Sequence, residues 1–308
     1  MDISIVIPLY NEEESLNELY NRLSQVLDGL GKTYEIIFID DGSTDSSYEI
    51  LGQLYDQTYN VKIYQFRKNY GKSAALSHGF SMARGEIVIT MDADLQDDPK
   101  EIPALISKIE SGYDLVSGWK KKRYDPFIKK HSSKLFNWTT RVVSGLHIHD
   151  MNCGLKAYRK SVIKSVSIYG QLHRFIPMLA HWQGFNVGEL EVQHHPRKYG
   201  KTKFGPSRFA AGIFDLLTIT FLNRFNKRPL HLFGSIGLLN LLAGSAISIY
   251  LAFYWIFIKS SLSNRPILFL GILLIIVGVQ FISIGLLGEM ITKSSHPEIE
   301  YSIKNSLE

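Results

Sequence analysis

Two uncharged apolar runs constrain this chain more than any other feature. From Leu230 to Ile258 the only ionisable side chain besides tyrosine is His231, and from Pro266 to Gly288 there is none. A helix crosses a hydrocarbon core of about 30 Å with about 20 apolar residues, so either run is long enough. Two adjacent buried core helices are the alternative, but helices this long and uniformly apolar are uncommon in soluble domains. The expectation is a two-helix transmembrane hairpin over 229–291, followed by a tail over 292–308. Met1-Asp2-Ile3-Ser4 has no basic stretch and reads as the start of a strand, so no signal peptide is expected.

Charge divides the rest. Residues 1–117 carry 9 basic against 20 acidic residues, a net of −11; residues 118–208 carry 18 against 4, a net of +14. An acidic half followed by a basic half suggests a cation on one side of a cleft and phosphates on the other. The alternative is a pair of solvated faces that happen to differ. Nucleic acid is not expected as a partner, because the basic half has no zinc-finger, helix-turn-helix or RNP-type pattern. A single cysteine, Cys153, excludes an intrachain disulfide and fits a reducing compartment.

The first 118 residues alternate between strand and helix patterns. Strands are expected at Ile3–Ile7, Glu35–Ile39, Val61–Phe66, Ile87–Met91 and Asp114–Ser117. Helices are expected from Asn11 or Glu12 to the Gly29 and Gly31 stop, from a Thr44 cap to about Tyr55, over Ser73–Ala83, and from Pro99 to about Glu110. This order implies an α/β fold, a doubly wound, mostly parallel sheet with helices on both faces. Its ligands sit beyond the carboxyl ends of the strands. The polar clusters Asp40-Asp41-Gly42-Ser43 and Asp92-Ala93-Asp94 fall at those ends.

Asp92-Ala93-Asp94-Leu95-Gln96 is the most informative segment. Two carboxylates two residues apart raise each other's pKa unless a cation sits with them. A hard divalent ion that also binds phosphate oxygens, Mg²⁺ or Mn²⁺, would supply that cation; strand punctuation before Pro99 is the plainer alternative. Other motif-like features fail. Gly71-Lys72-Ser73 lacks the first glycine of a P-loop, since Phe66 stands there, and no G-x-G-x-x-G follows the first strand. His147, His149, His194 and His195 lack a second cysteine or an H-E-x-x-H context for zinc.

Four motifs then occur in order at strand ends: Val6-Ile7-Pro8-Leu9-Tyr10-Asn11-Glu12, Asp40-Asp41-Gly42-Ser43-Thr44-Asp45, Arg67-Lys68-Asn69-Tyr70-Gly71-Lys72 and Asp92-Ala93-Asp94-Leu95-Gln96. Together they resemble the GT-A-type inverting glycosyltransferases of family 2. Asp150-Met151-Asn152-Cys153-Gly154, Arg197-Lys198-Tyr199-Gly200-Lys201-Thr202-Lys203 and the two spans narrow the resemblance to polyisoprenyl-phosphate glycosyltransferases similar to dolichol-phosphate mannosyltransferase.

That resemblance implies a GT-A catalytic domain over 1–205, with a nucleotide-sugar and metal half (1–118) and an acceptor half (119–205). Pro8, Tyr10, Glu12 and Asp41 would line the nucleoside pocket, and Asp92, Asp94 and Gln96 would hold the metal against the donor diphosphate. Lys72 would neutralise the donor or its leaving group, or simply be a solvated helix-start lysine. Lys120, Lys129 with Ser133, and Arg197 with Lys203 would bind the lipid phosphate. Lysines replace several of the family's arginines here, which exchanges a bidentate fork for a point charge. Asp150 matches a carboxylate proposed as base, or it orients a basic partner.

The implied reaction transfers one hexosyl unit, with inversion, from a nucleotide sugar to polyprenyl phosphate. A UDP-hexose is favoured and GDP-mannose remains open, as does a homo-oligomer. A processive polysaccharide synthase would usually carry Q-x-x-R-W, where this chain has Gln171-Leu172-His173-Arg174-Phe175. A non-catalytic membrane scaffold would not need Asp92, Asp94 and Gln96. Residues 206–228 read as an interfacial amphipathic helix, with Phe209, Ile213, Leu216, Leu217, Thr220 and Phe221 near one face; a core-packed helix is the alternative. Arg224, Lys227 and Arg228 precede the first span and Lys293 follows the second, so the positive-inside rule puts the catalytic domain and both termini in the cytoplasm.

Overall fold

The computed structural model describes residues 1–121, 139–199, 216, 218–221, 228–258 and 266–294. Lys129, Ser133, Lys203, most of the expected interfacial helix, the hairpin turn 259–265 and the tail after 294 lie outside the described residues. The chain divides into two compact units, Met1–Leu216 and Leu217–Tyr301.

The first unit is a seven-stranded sheet with helices around it. In chain order the elements are β1 (Ile3–Leu9), α1 (Leu16–Asp28), β2 (Tyr34–Asp40), α2 (Ser47–Gln57), β3 (Val61–Gln65), α3 (Lys72–Met82) and β4 (Ile87–Thr90). A 3-10 turn, Pro99–Glu101, leads into α4 (Ile102–Glu110), and β5 (Leu115–Trp119), β6 (Lys156–Arg159) and α5 (Lys160–Ser165) follow. A second 3-10 turn, Leu172–Phe175, runs into α6 (Ile176–Trp182), and β7 (Val187–Glu191) ends the sheet.

The strand order is β3-β2-β1-β4-β6-β5-β7. Strands β1 to β4 are mutually parallel, β6 runs antiparallel to β4 and β5, and β7 is parallel to β5. All seven residues of β1 are buried, as a central parallel strand covered on both faces requires. Helix α1 packs Leu16, Leu19, Leu23 and Leu27 onto this core. The five expected strands all form, and the α/β class stands.

Helix α1 starts at Leu16, not at Asn11 or Glu12. The reason is that the intervening amides are committed elsewhere. Asn11 N–H donates to Ser43 Oγ (2.9 Å), Glu12 N–H to Ser47 Oγ (3.0 Å) and Glu13 N–H to an Asp45 carboxylate oxygen (3.2 Å). Asn11 itself has φ of 54°, in the left-handed region that stops helix propagation. Helix α2 similarly begins at Ser47, three residues after Thr44.

The second unit contains α7 (Pro229–Ile258) and α8 (Pro266–Ser294), both long and apolar enough to cross a membrane. Only 17% and 11% of their most apolar windows are buried, which removes the soluble-core alternative. Their contact is closest at glycines seven residues apart on each helix. A Cβ on Gly237 would lie 2.7 Å from the Gly278 carbonyl oxygen, and one on Gly244 would lie 2.6 Å from that of Gly271. Such backbone approach is how helices associate in lipid, where apolar surface brings no gain.

Beneath the sheet, Glu35 on β2 is 1% exposed yet ionised. Burial raises its pKa, but three donors outweigh burial and leave it below the ordinary value: Lys62 Nζ (2.5 Å), Ser4 Oγ (2.7 Å) and the Arg84 N–H (2.7 Å). A carboxylate depressed in the folded state contributes stability above its unfolded pKa, and loses it as pH falls through the folded one. Glu35→Gln is therefore expected to lower stability at neutral pH by about 2 kcal/mol. It should also flatten the acid limb of a denaturation series below about pH 4.5, where wild type loses this contribution.

Candidate active site

The chain runs from β1 outward to β3, then crosses back to place β4 on the other side of β1. Crevices at such a switch point, beyond the carboxyl ends of the strands, are where α/β sheets hold ligands. Here a cleft of about 250 Å³ opens, lined by Pro8 near the end of β1, Tyr10 and Glu12 after it, Asp41 after β2, Asn69 and Gly71 before α3, Lys72 at its first position, Asp92 and Asp94 after β4, and Arg197. All six residues expected to meet the nucleotide sugar share this cleft. Arg197, expected on the acceptor side, joins them.

The walls of the cleft are locked by short polar bonds. Asp40 accepts from the Ser43 N–H (2.8 Å) and Gln65 Nε2 (2.9 Å). Asp41 accepts from the N–H groups of Tyr70 (2.7 Å) and Gly71 (2.9 Å). Burial, with Asp40 alongside, raises the Asp41 pKa, and these amides only partly offset it. Between them Gly42 has φ of 73° and approaches the neighbouring loop so closely that a Cβ would lie 2.6 Å from the Lys68 carbonyl carbon. No other residue type fits that turn.

The floor is the carboxylate pair. Lys72 Nζ forms an ion pair with Asp92 Oδ1. Arg197 reaches Asp94 Oδ2 at 2.7 Å and Glu12 Oε1 at 3.6 Å. The two acids respond oppositely. Burial raises Asp92, yet Lys72, with Lys120 and Lys156 behind it, holds it below the usual carboxylate range. Burial and then the charge of Asp92 raise Asp94, and Arg197 only partly reverses this. Leu95, between Asp94 and Gln96, has φ of 58°, a left-handed conformation rare for leucine and found where a site imposes it. Gln96 N–H returns to Asp94 Oδ1 (3.2 Å), and its Nε2 donates to the His195 carbonyl (3.4 Å).

A divalent cation fits this donor set. Among the described residues no cluster of three or more His, Cys, Asp or Glu is arranged to hold a metal. Mg²⁺-type ions are, however, usually bound by one or two carboxylates that leave remaining positions to substrate phosphates and water. Asp92 and Asp94 supply hard oxygens of that kind, each already facing a cation.

The late strands bring the basic half to this edge. Because β6 is antiparallel to β4, with Lys156 opposite Thr90, the segment before β6 arrives beside Asp92. Gly154 packs so tightly there that a Cβ would lie 2.5 Å from Asp92 Oδ2, while Thr90 Oγ1 donates to the Gly154 carbonyl (2.8 Å). Asp150 is 2% exposed, and its carbonyl accepts from Ser117 Oγ (3.2 Å) on β5. Lys120 is paired with Asp97 Oδ1 at 2.6 Å; burial lowers its pKa, but Asp97 and the other acidic groups around it together outweigh burial, and the net direction is upward. Asp97, Gly154 and a Ser73–His173 contact were not singled out from the sequence. Asp97 is one of four acids in Asp92–Asp98, and the sequence offers no way to distinguish a buried counter-ion from a solvated one.

The profile of Glycosyl transferase family 2 matches residues 4–167. Dodecaprenyl-phosphate galacturonate synthase of Rhizobium johnstonii is 38% identical over 306 residues, covering 96% of this chain and 88% of the relative. Undecaprenyl-phosphate 4-deoxy-4-formamido-L-arabinose transferase of Edwardsiella ictaluri is 36% identical, covering 94% and 88%. Glucosyl-3-phosphoglycerate synthase from Mycobacterium tuberculosis, solved with Mn²⁺, UDP-glucose and phosphoglyceric acid, superposes with a TM-score of 0.53 at 19% identity, over 72% of this chain and 79% of that one. At that identity the likeness is one of fold. The chain therefore belongs to glycosyl transferase family 2, as a glycosyltransferase similar along nearly its whole length to enzymes named for polyprenyl-phosphate sugars.

Proposed function

We propose that this enzyme transfers one hexosyl unit from a UDP-hexose to polyprenyl phosphate in a single in-line displacement that inverts the anomeric carbon. The ion pair between Arg197 and Asp94 carries the reading. It brings a cation of the basic half against a carboxylate of the acidic half, where two phosphates must meet at one sugar.

In this reading Glu12 and Asp41 accept hydrogen bonds from base or ribose, with Pro8 and Tyr10 beside them. Asp92, Asp94 and Gln96 hold Mg²⁺ or Mn²⁺, which when bound would supply positive charge to the leaving diphosphate. Lys72 adds a second positive charge there, and preorganised charge of this sort is the largest expected catalytic contribution. Lys120, Lys129, Ser133, Arg197 and Lys203 serve the acceptor phosphate. A phosphate monoester, with a second pKa of about 6, is already largely a dianion near neutral pH. It needs no strong base, and Asp150 serves as an orienting carboxylate.

The relatives' names specify a galacturonate and a formamido-arabinose, so sugars differ between chains of comparable similarity. The test is therefore a panel of nucleotide sugars offered to the full-length protein with polyprenyl phosphate and Mn²⁺, followed by mass spectrometry of the lipid. A polyprenyl-phosphate hexose formed from a UDP-hexose is expected. Product from another donor class alone corrects the donor, and no lipid product from any donor overturns the function. Asp94→Asn should lower turnover by about 100-fold or more while the protein stays folded.

Gly154→Ala tests the floor of the cleft separately. Its Cβ would collide with the Asp92 carboxylate, so Mn²⁺ affinity, read by electron paramagnetic resonance, should fall by about 10-fold or more. Unchanged affinity would remove Asp92 from the metal site.

The proposed placement is a catalytic domain and termini in the cytoplasm, with the hairpin turn outside. A cysteine introduced at Ser261 should react with an impermeant thiol reagent added to intact cells, and one at Ser302 should not. Native Cys153 is buried, which limits background labelling. The reverse pattern would overturn the orientation.

A further inference from the structure

Helix α3 carries Lys72 at its first position and begins with no side-chain cap of its own. A helix start left without partners frays, yet this one must root a lysine that reaches Asp92. Two contacts from outside the helix hold it. In front, Asp41 takes the N–H groups of Tyr70 and Gly71. Behind, Ser73, only 1% exposed, has its Oγ 2.8 Å from His173 Nδ1 and 3.1 Å from the His173 backbone nitrogen.

The His173 backbone N–H can only donate, so one lone pair of Ser73 Oγ accepts from it. The hydroxyl hydrogen and a second lone pair are left for Nδ1, so the ring bond forms with either neutral tautomer. Burial, with Lys72 close by, keeps the His173 pKa well below its ordinary value, in keeping with a neutral ring. His173 lies in Gln171-Leu172-His173-Arg174-Phe175, the segment that approaches Q-x-x-R-W and that the proposed reaction leaves without a role.

We infer that His173 is a positioning residue for sugar transfer: through Ser73 it fixes the first turn of α3, so that Lys72 meets Asp92 where the diphosphate departs. The inference rests on the functional reading above for what Lys72 does, but not for the latch itself. Lysine is a point charge on a flexible four-carbon stem, so the position of its root decides how often its ammonium is in place. Misplacing such a group by about 1 Å can cost about 100-fold in rate. Because charge on the diphosphate grows as the glycosidic bond breaks, the loss should fall on kcat more than on KM.

The experiment is a mutant cycle on the full-length enzyme. His173→Leu is expected to lower kcat by about 10-fold or more with donor KM changed by less than about threefold. His173→Asn, whose side-chain amide can pair with Ser73 Oγ in place of Nδ1 as acceptor or as donor, should restore most of kcat. On a Lys72→Met background, His173→Leu should cost nothing further, because residues that act through one another are not additive. The reductive-methylation rate of Lys72, followed by peptide mass spectrometry, should rise in His173→Leu and return in His173→Asn.

Independent losses in the double variant, a KM effect alone, failure of asparagine to rescue, or an unchanged methylation rate would each overturn the inference. If His173→Leu does not fold, Ser73→Ala removes the same bond with a smaller change and enters the same cycle with the same expectations. A wild-type protein that glycosylates no polyprenyl phosphate would defeat the functional reading, while Lys72 methylation would still report on the latch.

Discussion

Two carboxylates at the end of one strand, Asp92 and Asp94, set the problem that the surrounding structure solves. Left alone they would repel and one would protonate. The fold meets each with a cation brought from far along the chain, Lys72 from the start of α3 and Arg197 from beyond β7. The pKa directions follow: Asp92 goes down beside its lysine despite burial, and Asp94 goes up through burial and then the charge of Asp92. A site built this way presents paired negative and positive groups, so no charge in it is left without a counter-charge.

That balance depends on sheet topology. The acidic first half builds the parallel core β3-β2-β1-β4, whose carboxyl ends gather Asp41, Asp92 and Asp94 at one edge. The basic second half reaches the same edge by two routes. Strand β6 enters antiparallel between β4 and β5, so the segment before it, Asp150 to Gly154, starts at that edge. Strand β7 is parallel to β5 and pairs Glu191 with Trp119, delivering the chain that carries Arg197 to that edge too. The close fit of Gly154 on Asp92 is the local consequence.

Legibility in the sequence follows the range of the forces involved. The five strands of residues 1–118 and their helices were legible because burial periodicity is local. So was the clustering of Pro8, Tyr10, Glu12, Asp41, Lys72 and Asp92, since strand ends of a parallel sheet must share an edge. The start of α1 was misplaced because the amides of Asn11 to Glu13 bond to side chains 32–35 residues away. Strand β6 was missed because four residues, Lys156–Arg159, with a buried lysine, carry no alternating signature. The pairings Lys120–Asp97 and Arg197–Asp94 span 23 and 103 residues, and no local pattern encodes which acid a cation will choose.

The two units also differ in what can cover them. The sheet unit buries its apolar residues and exposes charge, whereas the hairpin exposes Leu239, Phe253, Phe257 and Phe269 along helices that approach closely at paired glycines. Large apolar groups that point outward in this way are penalised by water and not by lipid. The proposed substrates divide the same way. A nucleotide sugar is recognised by charge and hydrogen bonds in water, and a polyprenyl chain only by apolar surface within a bilayer. A single-domain enzyme facing water would have to extract that chain from the membrane, at about 0.8 kcal/mol for each CH₂ exposed. A chain that carries its own apolar hairpin leaves the lipid tail where it is and needs to bring only the phosphate to the charged edge of its sheet.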